Sequence, residues 1–126
     1  MNFEAIQHIP MSQQAHGIDP NHVVFRLRAG RDDLKHCTLF YADRACRLTP
    51  VIFSSVEMQV EAQDEWFDYF QVILESPYKR ICYYFELDDG TQKLLYYGDF
   101  FTDHRVDDRS EYYQLPFNHP ADIAAP

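Results

Sequence analysis

Apolar and polar residues alternate with a period of two along most of this chain. From Val23 to Ala29 the string VVFRLRA sets Val23, Phe25 and Leu27 on one face and Val24, Arg26 and Arg28 on the other, the pattern of a half-buried strand. After the turn-rich GRDD, the segment HCTLFYAD alternates again, with Cys37, Leu39 and Tyr41 opposite His36, Thr38 and Phe40. From Arg80 onward Ile81, Tyr83, Phe85 and Leu87 share a side. The turn residues Asp88 to Gly90 then lead into QKLLYYG, which predicts a β-hairpin. Further short extended pieces are expected at Phe3 to His8, Pro50 to Val60 and Tyr112 to Phe117.

The stretch DEWFDYFQVIL, Asp64 to Leu74, admits two readings. As a helix it would align Trp66, Tyr69, Phe70 and Ile73 on one stripe. As a strand it directs Trp66, Phe70, Val72 and Leu74 one way and Phe67, Tyr69 and Ile73 the other. The strand is the better reading, because its aromatic and β-branched residues suit a pleated surface and because strands precede and follow it. Ser76, Pro77 and Lys79 close it as a turn. Many short strands separated by turns predict an all-β, antiparallel sandwich.

At 126 residues the chain is one domain's length. PADIAAP at its end has no periodicity and reads as the start of a linker, so a single sandwich is expected over 1–120 and linker over 121–126. The net charge of -9, with only 11 Lys and Arg spread along the chain, argues against a nucleic-acid partner, which needs clustered cations. No run of apolar residues is long enough to span a membrane and MNFEAIQHIPM does not resemble a signal peptide, so a cytoplasmic protein is expected. The odd cysteine count, Cys37, Cys46 and Cys82, lacks CxxC spacing; Cys37 and Cys82 read as core thiols.

Candidates for chemistry are few. The acid pairs Asp32–Asp33, Asp88–Asp89 and Asp107–Asp108 are neighbours on turns, and glycoside hydrolysis needs carboxylates that face each other across a cleft. The six histidines show no metal-ligand spacing, no GxSxG elbow is present, and four glycines form no phosphate loop. Neither metal nor cofactor is expected. What stands out is the aromatic content of 16%, with nine Tyr and ten Phe. With apolar bulk on both faces of the Trp66 stretch, one face can line a core. The other must be covered by loops, a second chain or domain, or a ligand.

Three strings, VFRLRAGRDDLKHCTLFYADR, DEWFDYFQVILESPYKRICYYFEL with the hairpin DGTQKLLYYG, and YYQLPFNHPADIAAP, resemble the N-terminal domain of the cyclomaltodextrinase, neopullulanase and maltogenic amylase group of glycoside hydrolase family 13. The resemblance implies an immunoglobulin-like sandwich classed as carbohydrate-binding module family 34, set ahead of a catalytic (β/α)-barrel. It implies that this chain alone is not an enzyme, since the family's catalytic carboxylates lie in the barrel. It also implies an accessory role: packing against its own barrel and against a second subunit, narrowing a cleft for cyclodextrins or maltooligosaccharides. Tyr41, Asp43 and Arg44 match the loop that reaches toward the partner's cleft, with Ala45 where relatives often have a tyrosine. With Trp66 and Tyr69 they make up the expected carbohydrate or subunit contacts. A free-standing carbohydrate-binding or protein-interaction sandwich is the alternative.

Overall fold

The structure, a computed structural model, describes residues 1–8, 15–19, 22–43, 53–75, 81–97, 100–103 and 113–115. Among them are ten strands: β1 (Ala15–Asp19), β2 (His22–Gly30), β3 (His36–Asp43), β4 (Ser54–Glu57), β5 (Gln59–Gln63), β6 (Phe67–Glu75), β7 (Ile81–Asp88), β8 (Lys93–Tyr97), β9 (Phe100–Thr102) and β10 (Tyr113–Leu115). They form two antiparallel sheets, one ordered β1-β2-β6-β5 and the other β4-β3-β7-β8-β9, with β10 continuing along β7 beyond β8. The all-β sandwich expected from the alternation is what the chain builds.

The period of two explains the core. Val23, Phe25, Leu27 and Ala29 of β2, with Phe70 and Leu74 of β6, face Cys37 and Leu39 of β3, Ile81, Tyr83, Phe85 and Leu87 of β7 and Tyr96 of β8. Register is set by the long pairings, Leu27 opposite Phe70 and Leu39 opposite Phe85. A one-residue slip in either would turn these apolar rows toward solvent. Cys37 and Cys82 are buried thiols, as expected, and burial pushes the Cys37 thiol's pKa far above its usual range.

A second apolar cluster accounts for much of the aromatic surplus. On the outer face of the six-stranded sheet, Phe40, Tyr84, Tyr97 and Phe100 of β3, β7, β8 and β9 stack in one cross-strand row, with centroid separations of 5.0, 4.6 and 5.7 Å. Phe53 meets Tyr84 edge-on at 5.0 Å. Tyr84 and Tyr97 are buried there.

Three expectations need correction. The piece from Phe3 to His8 is not extended throughout: Phe3–Ala5 is a 3-10 turn, closed by N–H groups of Ala5 and Ile6 donating to the carbonyls of Asn2 and Phe3, and only Gln7 bridges to Arg28. The piece from Pro50 to Val60 is two strands in different sheets where it is described. Met58, 2% exposed, marks the crossing, its N–H donating to the Cys37 carbonyl at 2.8 Å and its thioether accepting the Cys37 thiol at 3.6 Å. Finally, Trp66 does not share the core face with Phe70. It lies in the turn before β6, where strand parity no longer applies, and is 73% exposed.

The strand expected from Tyr112 to Phe117 is seen as β10, its flanks being outside the described residues. Residues 116–126 also lie outside them, and with them the expected linker.

Candidate functional site

The strands run between two ends of the sandwich, and the expected site residues divide between them. Gly30 pairs with Phe67 and His36 with Asp88, which gathers the β2–β3, β5–β6 and β7–β8 turns at one end, with Trp66. His22 pairs with Glu75 and Asp43 with Ile81 at the other. Tyr41 and Asp43 therefore lie at the far end from Trp66, separated by most of the length of β3, roughly 15–20 Å. Tyr41 is half-buried and packs against the core. Arg44 lies outside the described residues.

At the first end, Asp64 organises the turn. One carboxylate oxygen accepts the backbone N–H groups of Trp66 and Phe67, both at 2.8 Å, and the other accepts the Tyr69 hydroxyl at 2.7 Å. The short side chain thus replaces a backbone turn bond, the usual reason for Asp at such a position. These bonds hold the Asp64 carboxyl below its ordinary pKa, the Tyr69 hydroxyl first among them, and the same bond raises the Tyr69 phenol. Arg31 fastens the turn from the neighbouring loop: its N–H donates to the Trp66 carbonyl at 3.0 Å and its guanidinium to the Asp64 carbonyl at 3.1 Å.

Beside this turn the N-terminal segment forms one wall of an open cleft of about 290 Å³, lined by Asn2, Glu4, Ala5, Trp66 and Phe67. Arg28 ties the two walls together. Its Nε donates to the Ala5 carbonyl at 2.9 Å, and its guanidinium lies 4.2 Å from the centroid of the Phe67 ring. Behind the turn, buried Asp68 accepts the Asp32 N–H at 2.9 Å and the Gln63 amide at 2.6 Å. Asp64, Phe67, Arg28 and Arg31 were not singled out from the sequence. The signal for Asp64 was present, an Asp two and three residues ahead of the N–H groups it accepts; that for Arg28 appears only once β2 and β6 are in register.

At the opposite end two large aliphatic side chains are exposed, near the exposed Glu75 that ends β6. Ile73 of β6, opposite Val24, is 54% exposed, and Ile18 of β1, beside the His22–Val23 end of β2, is 47% exposed.

The acid pairs serve turns where they are described. The Asp88 carboxylate accepts the Gly90 N–H, while that of Asp89 accepts those of Thr91 and Gln92 and falls to a pKa of about 2, the Gln92 and Thr91 bonds being the largest causes. No group of three or more His, Cys, Asp or Glu that could hold a metal ion occurs among the described residues. Nor, among them, is any helix long and apolar enough to cross a membrane.

The chain matches known proteins along nearly its whole length. It is 30% identical over 122 residues to a maltogenic alpha-amylase of Bacillus acidopullulyticus, covering 95% of this chain and 21% of that enzyme. To a cyclomaltodextrinase of Geobacillus thermopakistaniensis strain MAS1 it is 30% identical over 125 residues, covering 98% and 21%. The fold superposes on a solved cyclomaltodextrinase with a TM-score of 0.87 at 26% identity, covering 100% of this chain and 21% of that one. The chain thus spans about a fifth of these relatives, and its 126 residues hold none of a catalytic barrel. The sequence profile described as "Alpha amylase, N-terminal ig-like domain" matches residues 1–119, and the chain belongs to that family.

Proposed function

We propose that this accessory domain serves an α-glucan hydrolase of the cyclomaltodextrinase type by packing against protein, at the end of the sandwich that carries Tyr41 and Asp43. There it joins a second subunit and narrows the substrate cleft toward small substrates such as cyclodextrins and maltooligosaccharides. The observation that carries this reading is the pair of large aliphatic side chains left in solvent there, Ile18 and Ile73. Exposed aliphatic residues at one end of a small sandwich fit a protein surface better than a polyhydroxylated ligand. The family supports the same reading, since its relatives are enzymes of which this domain is about a fifth.

Sedimentation velocity of the intact enzyme tests it. The double variant Ile18→Glu, Ile73→Glu places two charges on the proposed interface without touching the core, and the subunit assembly is expected to dissociate to smaller particles at concentrations where the parent stays assembled. An unchanged sedimentation coefficient across a dilution series overturns the reading.

A further inference from the structure

Among the described residues four strands lie at sheet edges, β1 and β5 in one sheet, β4 and β9 in the other. Residues 54–63 therefore run along one side of the sandwich as the edge of each sheet in turn, changing sheets at the buried Met58. The β5 half is the more open. All five of its residues are exposed, whereas β4 keeps Val56 half-buried. An exposed edge offers unpaired N–H and C=O groups to any extended chain that can lie beside it. We propose that the outer edge of β5 is a pairing surface for the same strand of a second copy of this chain, and that Glu61 keeps it closed.

The sequence of the strand names the partner. Gln59–Gln63 reads QVEAQ, nearly the same in both directions. Two copies paired antiparallel about a two-fold axis would set Gln59 opposite Gln63 and Val60 opposite Ala62, amide on amide and apolar on apolar. Val60 is 44% exposed and so has apolar surface left to cover. At the axis, however, Glu61 would face its own copy, and like charges directly opposite destabilise a strand pair. No cation stands near in sequence to offset them: from Leu48 to Tyr78 the chain has no Lys, Arg or His, but has Glu57, Glu61, Asp64, Glu65, Asp68 and Glu75.

Glu61 also breaks the ladder that a copy would need. Val60 pairs with Phe70 and Ala62 with Tyr69, which are consecutive in β6, so Glu61 is one residue more than β6 can match. Such a residue is left unpaired, bends its strand and increases the local twist. It falls at the centre of β5, leaving only two regular positions on each side. Charge and backbone shape thus act at the same residue, the one on which self-pairing would be centred.

Deletion of Glu61 is a clean test, because the pairings Val60–Phe70 and Ala62–Tyr69 and the bond from the Gln63 amide to Asp68 all remain possible. The shortened edge, Gln-Val-Ala-Gln, keeps its two-fold match and loses the charge. The 126-residue chain and its variants are compared by sedimentation velocity over a dilution series, with hydrogen exchange read at those amides of residues 59–63 that do not bond to β6. The parent is expected to exchange fast there at every concentration. The deletion variant is expected to shift toward a dimer as concentration rises, with exchange at 59–63 slowed severalfold, and adding Val60→Lys is expected to return it to the parent's behaviour, since an edge lysine resists pairing. Glu61→Val, which removes the charge and keeps the chain length, is expected to shift in the same direction and decides the matter if the deletion variant does not fold.

Variants that keep the parent's far-UV circular dichroism and sediment like it at every concentration overturn the inference. So does association that leaves exchange at 59–63 unchanged, which marks a contact elsewhere. Slow, concentration-dependent exchange at that edge in the parent overturns it as well, since Glu61 would then not close it. None of these outcomes bears on the packing role, which is read from Ile18 and Ile73.

Discussion

The carboxylate of Asp64 accepts the hydroxyl of Tyr69 at 2.7 Å, and through its other oxygen it fixes the backbone of the turn that presents Trp66. Strand β6 and the turn ahead of it are thereby one unit, and the exposed indole inherits the rigidity of the sheet. Asp64→Ala is expected to lower the steady-state fluorescence anisotropy of Trp66, while Asp64→Asn, whose amide oxygen can still accept the two N–H groups, stays near the parent. Because the folded pKa is depressed, the carboxylate's contribution is fully present above its ordinary value of 3.8 and is lost only as the pH falls through the lower folded value. Anisotropy should therefore hold down to that range and drop below it. A loss beginning near neutral pH would contradict the assignment.

His8 anchors the N-terminal segment in the core by a different chemistry. Its Nδ1–H donates to the Arg26 carbonyl at 2.6 Å and, in the neutral ring that burial favours, its Nε2 accepts the Tyr83 hydroxyl at 2.7 Å. Burial lowers its pKa from 6.5 to about 4. The unfolded chain therefore takes up a proton that the folded one refuses, so stability is complete above pH 6.5 and declines as the pH falls from 6.5 toward 4. The loss from this group approaches roughly 3 kcal/mol. Urea titrations at pH 7.5 and pH 4.5 should show that decline in the parent and much less of it in His8→Gln.

The two ring environments predict opposite mutational costs. Phe25 is fully buried and meets Tyr83 edge-on at 4.8 Å, so Phe25→Ala should cost about 3–5 kcal/mol of folding stability. Trp66 is the larger side chain but contributes little to the core, and Trp66→Ala should change stability by no more than about 0.5 kcal/mol. Comparable costs for the two in urea denaturation would mean that Trp66 is packed rather than presented.

Much of this fold is legible in the alternation of side chains, because strands with one face in a core must repeat with period two. Phe25, Leu27, Leu39, Phe85 and Leu87 are found where that rule puts them. The rule fails at Trp66, Met58 and the Phe3–Ala5 turn, where local bonds, an Asx turn, a sheet crossing and a 3-10 turn, replace the ladder. Strands β1 and β9 escape it for another reason: AHGID and FFT are too short or too irregular to alternate. The stacked row of Phe40, Tyr84, Tyr97 and Phe100 depends on register across four strands, and no single segment reveals it. For the same reason the expected contacts, read as one group, prove to be divided between two ends once β3 and β6 are set in place.

The proposed cleft-narrowing role is tested most directly by substrate preference. Rates on β-cyclodextrin and on soluble starch are measured for the intact enzyme and for its Ile18→Glu, Ile73→Glu variant, with matched far-UV circular dichroism. The account predicts that the cyclodextrin-to-starch ratio falls severalfold in the variant as the domain leaves the cleft. An unchanged ratio in a variant that has demonstrably lost its subunit contact would contradict it.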